Sequence, residues 1–175
     1  MVKIEYDTSI TESDANLVVN IVNCSGYMDA KWQKLYPHVD IQYRKYLVYC
    51  NKNNIEPMGT CQYVPKDSWA IGLTDTMKNN DLYNYDEPYQ FIVNMFVDKS
   101  TTNKIQIDFN ALNSALKNLK QKAKILKATI AIPYGIDFVG YSKKWKVIWE
   151  QIWQAIHKCF DNSDIEVYLC KNTER

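Results

Sequence analysis

The chain has 175 residues, 46% hydrophobic and 23% charged, and its 21 basic against 20 acidic side chains leave a formal charge of +1. That length suits a single domain, 1–175, able to bury roughly two-thirds of the surface of its unfolded chain. The near-zero charge offers no global attraction to nucleic acid or to an anionic membrane, and no apolar run approaches the ~20 residues that a bilayer span needs.

Short β-branched runs alternate with longer helical ones, and turn residues mark the joins. The strands expected in chain order are Lys3–Tyr6, Leu17–Val22, Met58–Tyr63, Trp69–Thr74, Phe91–Phe96, Thr129–Pro133 and Ile165–Cys170. Leu17–Val22 and Phe91–Val97 are nearly continuous apolar runs interrupted by Asn20 and Asn94, the pattern of central strands covered on both faces. Two shorter helical segments flank Pro37 between Asp29 and Cys50, and Asn51 to Pro57 reads as a polar turn. Thr76–Gln90 is polar and rich in Tyr and Asn; it is long for a connection and reads as a functional loop or lid. A helix follows the N-cap candidate Asp108, with Phe109, Leu112, Leu116, Leu119, Ala123 and Leu126 on one stripe and Lys117, Lys120, Lys124 and Lys127 on a solvated face. The last helix, Ser142 to Phe160, puts Trp145, Ile148, Trp149, Ile152 and Ile156 on its core side, with Trp145 placed to border a site. This order predicts a three-layer α/β/α domain with a mixed central sheet of about six or seven strands.

The five cysteines are scattered and form no C-x-x-C pair, and His38 and His157 are the only histidines, so neither a disulfide framework nor a metal site is expected. His157 and Cys159 stand two apart on a helix and do not face one another. Asp81, Asp86 and Glu87 read as a solvated loop, and Tyr83, Tyr85 and Tyr89 as residues for packing or for stacking on a base. The N-terminal Met1-Val2-Lys3-Ile4-Glu5 lacks the apolar core of a signal peptide, and the expected location is the cytoplasm of a bacterial or host cell. In layered α/β folds ligands bind beyond the carboxyl ends of strands. There Asn23-Cys24-Ser25-Gly26-Tyr27-Met28-Asp29 follows one strand and Tyr134-Gly135-Ile136-Asp137-Phe138-Val139-Gly140-Tyr141 another. Glycine loops that feed helices are either plain turns or sources of backbone N–H groups for an anion.

Taken in order, Leu17 to Met28, Tyr36-Pro37, Val93 to Phe96, Ala131 to Ile136, Trp145 to Trp149 and Ile165 to Tyr168 resemble a macro domain over nearly the whole chain. The resemblance is closest to the bacterial and phage branch that is similar to terminal ADP-ribose glycohydrolases and ADP-ribose-phosphate phosphatases. It implies an ADP-ribose-like or NAD-derived nucleotide as the small-molecule partner, held between the two glycine loops, with no separate cofactor. The ligand-binding set it implies is Asn23, Cys24, Gly26, Tyr27, Met28, Asn94, Gly135, Ile136, Asp137, Phe138, Val139, Gly140 and Tyr141.

The departures from the family pattern have a direction. The first loop is shorter and runs from Met28 into Asp29-Ala30-Lys31-Trp32. The second keeps its length but has Asp137-Phe138-Val139 where a G-C-G run is usual, and no carboxylate lies between Val139 and Trp145. Val97-Asp98 replaces a common Gly-Gln, and Ser9, with Asp7 nearby, stands where an adenine-reading Asp is usual. Losing glycine removes the backbone freedom that a phosphate cradle uses. The expectation is therefore a nucleotide binder without turnover and without catalytic residues, acting as a phage-type anti-defence sponge for an NAD-derived signal. The rival expectations are an ADP-ribosyl hydrolase or ADP-ribose-phosphate phosphatase using Asp29, Asp98 or Asp137, and an interaction protein with a vestigial pocket.

Overall fold

A computed structural model describes residues 1–68, 90–102 and 104–172 of the chain. The expected strand at 69–74, most of the Tyr-rich segment 76–90, and Asp81, Tyr83, Tyr85, Asp86, Glu87 and Tyr89 lie outside the described residues.

Six strands form one mixed sheet: β1 (Val2–Tyr6), β2 (Leu17–Val22), β3 (Cys61–Pro65), β4 (Phe91–Phe96), β5 (Ile130–Pro133) and β6 (Val167–Lys171). They lie in the order β1-β6-β5-β2-β4-β3, and all neighbours are parallel except β3, which pairs antiparallel with β4. The helices are α1 (Ala30–Leu35), α2 (Pro37–Lys52), α3 (Phe109–Leu126), α4 (Ile136–Val139) and α5 (Trp145–Phe160), with a 3-10 turn at Ile10–Glu12. Among the described residues no helix is long and apolar enough to cross a membrane.

Strand alternation divides the core in two. Leu17, Val19, Val93, Met95, Ile130, Ile132, Val167 and Leu169 pack under α3 and α5, while Val18, Val22, Ile92, Phe96 and Ala131 pack under α1 and α2. This is the expected α/β/α arrangement, because parallel strands need apolar cover on both faces.

Local chemistry explains the differences from the sequence pattern. β3 begins at Cys61 rather than Met58 because 57–60 form a turn: Gly59 has φ +87°, and Thr60 N–H donates to Pro57 O at 3.0 Å. A Cβ on Gly59 would approach Ser114 Cβ to 3.2 Å, so that turn sits close against α3. α2 runs on to Lys52, into the segment expected to be a turn. Asp108 caps α3 as expected, its Oδ1 accepting from Ala111 N–H at 3.0 Å. The apolar stripe of α3 buries Leu112, Leu116, Leu119 and Ala123 as expected and widens to Ala111 and Ala115, while Phe109 at its start is exposed. Lys120 leaves the solvated face, and its Nζ donates to Cys159 O at 2.8 Å.

The two asparagines that interrupt the central strands are partners. Asn20 lies opposite Asn94, and Asn94 opposite Gln62, across β2, β4 and β3. Asn20 Nδ2 donates to Asn94 Oδ1 and Asn94 Nδ2 donates to Gln62 Oε1, each at 3.0 Å, and Gln62 Nε2 donates to Gln42 O on α2 at 2.9 Å. Asn94→Ala strands a donor on Asn20 and an acceptor on Gln62. It is expected to cost roughly 2–4 kcal/mol in urea unfolding; a loss below about 0.5 kcal/mol would show that the ladder is not what holds these strands in register.

Candidate functional site

The sheet order builds a crevice. From β2 the chain leaves through α1 and α2 toward β3 and β4, whereas from β5 it leaves through α4 and α5 toward β6, on the other side. Such a point of divergence is where open α/β sheets take ligands. The ladder between β2 and β5 holds only Leu17 with Ile130 and Val18 with Ala131. Beyond those pairs Val19, Asn20, Ile21 and Pro133 line a narrow inner cavity of ≈ 140 Å³, with Ser9, Lys31 and Trp32 at its side. It adjoins an outer cavity of ≈ 540 Å³ walled by Tyr134, Gly135, Ile136, Gly140, Tyr141, Trp145 and Lys171. Asp29, Ile105, Asp137 and Asn172 line both. The outer volume is within the range of small-molecule sites.

The expected ligand-binding set divides. Gly135, Ile136, Asp137, Gly140 and Tyr141 line the outer cavity, and Asp137 also reaches the inner one. Gly135 (φ +61°) and Gly140 (φ +75°) take conformations that favour glycine; a Cβ on Gly140 would lie 3.2 Å from Ile105 Cβ. Phe138 and Val139 do not line either cavity; the short turn of α4 directs both into the core beneath α5. Asn94 is completely buried in the sheet ladder, where it holds the lining residue Asn20. Met28 is buried in the core under α1 and α2. Cys24 and Tyr27 are exposed, and neither they nor Asn23 and Gly26 line the crevice.

The first loop is instead tied to α2. Tyr43 OH lies 2.6 Å from Asn23 O and 3.0 Å from Asn23 Oδ1, which also accepts from Ser25 N–H at 3.0 Å. Gly26 N–H donates to the same Tyr43 oxygen at 3.2 Å. Burial is the main reason that the Tyr43 hydroxyl titrates well above the usual phenol range. The expected ligand-binding set also lacked lining residues from every neighbouring strand end, among them Asn20, Lys31, Ile105, Tyr134, Lys171 and Asn172. Their position beyond the strand ends was the only signal available.

The crevice carries carboxylates and cations together. Asp29 caps α1, its Oδ1 accepting from Lys31 N–H at 2.9 Å, and Lys31 Nζ donates to Ser9 Oγ at 2.7 Å. Tyr134 packs on Trp149 with ring centroids 4.8 Å apart, and Trp145 stands within 3.4 Å of the place a Gly135 Cβ would take. Asp98, a candidate acid or base, is buried away from the lining, with Oδ1 accepting from Ser100 N–H and Gln106 N–H, each at 2.9 Å. The histidines are also elsewhere: His38 Nε2 pairs with Pro65 O at 2.9 Å, and His157 Nδ1 with the Asp161 carboxylate at 2.8 Å. Desolvation, and after it Glu56, pushes the Cys24 thiol up to about 11, which keeps it protonated and poorly nucleophilic at neutral pH. Among the described residues no group of three His, Cys, Asp or Glu is placed to hold a metal ion.

No protein-family model matches the sequence, and no curated protein matches it. Solved structures do. The macrodomain of Mycobacterium tuberculosis DarG superposes with a TM-score of 0.68 at 16% identity, covering 98% of this chain and 97% of its own. A macrodomain protein from Streptomyces coelicolor gives 0.67 at 16% identity, with 97% and 99% covered. Thermosipho africanus DarTG, solved in complex with ADP-ribose, gives 0.67 at 13% identity; 98% of this chain covers 42% of that one. The chain has the macrodomain fold.

The raised thiol gives a pH test. Alkylation of Cys24 by iodoacetamide should stay slow through neutral pH and climb only as pH approaches about 11, read by mass spectrometry of the modified peptide. A rate that levels off near pH 8.5, the unperturbed thiol value, would show that the Cys24 thiol is not raised.

Proposed function

We propose that this macrodomain-fold chain binds an ADP-ribose-like or NAD-derived nucleotide in the crevice between β2 and β5 and retains it without turnover. The observation that carries this reading is the crevice itself: it opens at the sheet's divergence point, in the fold of a solved neighbour that holds ADP-ribose. Its aromatic wall of Tyr134, Tyr141 and Trp145 suits a nucleobase or sugar face, and Asp29, Asp137 and the Asn20 region supply acceptors for ribose hydroxyls.

Retention rather than hydrolysis is favoured by the state of the candidate acid-base groups. Of the three candidate carboxylates, Asp98 is bound into its own loop and Asp29 is engaged as a helix cap, which leaves Asp137 on the shared wall without a second candidate to complete an acid-base pair. A site that binds ground state and transition state equally well holds its ligand without accelerating its chemistry. The biological use we propose is sequestration of an NAD-derived defence signal in the cytoplasm of an infected bacterium, as a phage sponge would do.

Thermal unfolding with a nucleotide panel tests the reading. ADP-ribose, or a cyclic or adducted relative, at about 100 times its Kd should stabilise the protein by roughly 2.7 kcal/mol. The same ligand should be recovered intact by chromatography after prolonged incubation, and ADP-ribosylated protein or nucleic acid should stay unhydrolysed. Turnover that Asp29→Asn or Asp137→Asn abolishes would make the protein a hydrolase. No shift with any nucleotide would leave a vestigial pocket on an interaction protein.

A further inference from the structure

Macrodomain-like glycine loops invite the idea that backbone N–H groups hold the ligand's phosphates, but here six of those groups are already engaged. In the second loop Asp137 N–H donates to Tyr134 O at 3.2 Å, Phe138 N–H and Val139 N–H to Gly135 O at 3.0 and 3.1 Å, and Gly140 N–H to Ile136 O at 2.8 Å. In the first, Ser25 N–H is taken by Asn23 Oδ1 and Gly26 N–H by Tyr43 OH. Satisfied amides give an anion little unless the loop first breaks its own hydrogen bonds.

We propose that Lys171 supplies the anion site in their place, so that the diphosphate of the ligand is held by a side-chain cation on β6; this inference rests on the nucleotide reading above. Lys171 is the last residue of β6 and lines the outer cavity. It lies opposite Tyr6 in the β1–β6 ladder, and its Nζ stands 5.6 Å from the Tyr6 ring centroid and 5.0 Å from that of Tyr134. Tyr134 is set beside it by the hydrogen bond from its N–H to Cys170 O at 3.0 Å and is wedged by Trp149.

Three neighbouring strand ends thus position one ammonium between two rings, which orient it without neutralising it. Among the described residues Lys171 forms no ion pair. Asp29 and Asp137 on the shared wall repel a bare anion and accept from hydroxyls. The class of ligand the site selects is therefore a diphosphate that carries hydroxyl-bearing sugar, with the phosphates at Lys171 and the sugar toward the carboxylates.

Calorimetric titration of the full chain with ADP-ribose, with inorganic pyrophosphate and with adenosine, at low and at physiological salt, tests this. Lys171→Met keeps the apolar stem between the rings, and Lys171→Arg keeps the charge; urea unfolding checks that both fold as the parent does. Lys171→Met should weaken ADP-ribose about ten-fold or more and flatten its salt dependence, while Lys171→Arg stays within about three-fold. Pyrophosphate should bind the parent weakly and the Met variant not at all, and adenosine should not distinguish them. If the parent binds ADP-ribose and Lys171→Met binds it equally well, the Lys171 assignment is overturned and the nucleotide reading stands. If the parent binds pyrophosphate through Lys171 but not ADP-ribose, the anion site stands and the nucleotide reading fails. If the parent binds neither, both fail.

Discussion

The two central strands β2 and β5 are joined by only two residue pairs, at Leu17–Ile130 and Val18–Ala131, before their outgoing connections diverge. A parallel pair that continued to the strand ends would seal the sheet. Because it stops early, the backbone edges of Val19 to Ile21 and Pro133 border open space, and every loop that leaves a neighbouring strand end contributes to its wall. The cavity is a consequence of chain direction, and the side chains around it then decide what it takes.

The crevice must also be kept from collapsing. Its floor at Asn20 is braced by Asn94, Gln62 and the Gln42 carbonyl, a chain of amides that ties β2 through β4 and β3 to α2. Buried amides in a sheet specify one register, because any slip leaves several of them unpaired. On the opposite side Phe138 and Val139 anchor the second loop in the core under α5, and Tyr134 is fixed by Trp149. The wall is thus held from behind by apolar packing and the floor by hydrogen bonds, an arrangement that favours a preformed site.

Charge inside the crevice is local and mixed, although the chain as a whole is almost neutral. Asp29 and Asp137 face the same space that Lys31 and Lys171 border. Mixed charge suits a ligand with both donors and anionic groups, and discriminates against a simple phosphate or a simple polyol. The amides of residues 137–140 in the second loop are closed on backbone carbonyls, whereas Ser25 and Gly26 in the first donate to the side chains of Asn23 and Tyr43.

Sequence by itself determined the layers. Leu17–Val22 and Phe91–Phe96 have the bounds read from their nearly unbroken apolar runs, since strands covered on both faces admit little else, and the Asp108 cap marks the start of α3 through a purely local hydrogen bond. Gly135 and Gly140 came from the resemblance, and the structure shows both with a positive φ. Tertiary structure alone decided the rest. That Asn94 braces Asn20, that Phe138 and Val139 point inward, and that Lys171 stands between Tyr6 and Tyr134 all follow from which strands are neighbours and where their pairing ends. No spacing along the chain carries that information, because Tyr6, Tyr134 and Lys171 meet only once β1, β6 and β5 lie side by side.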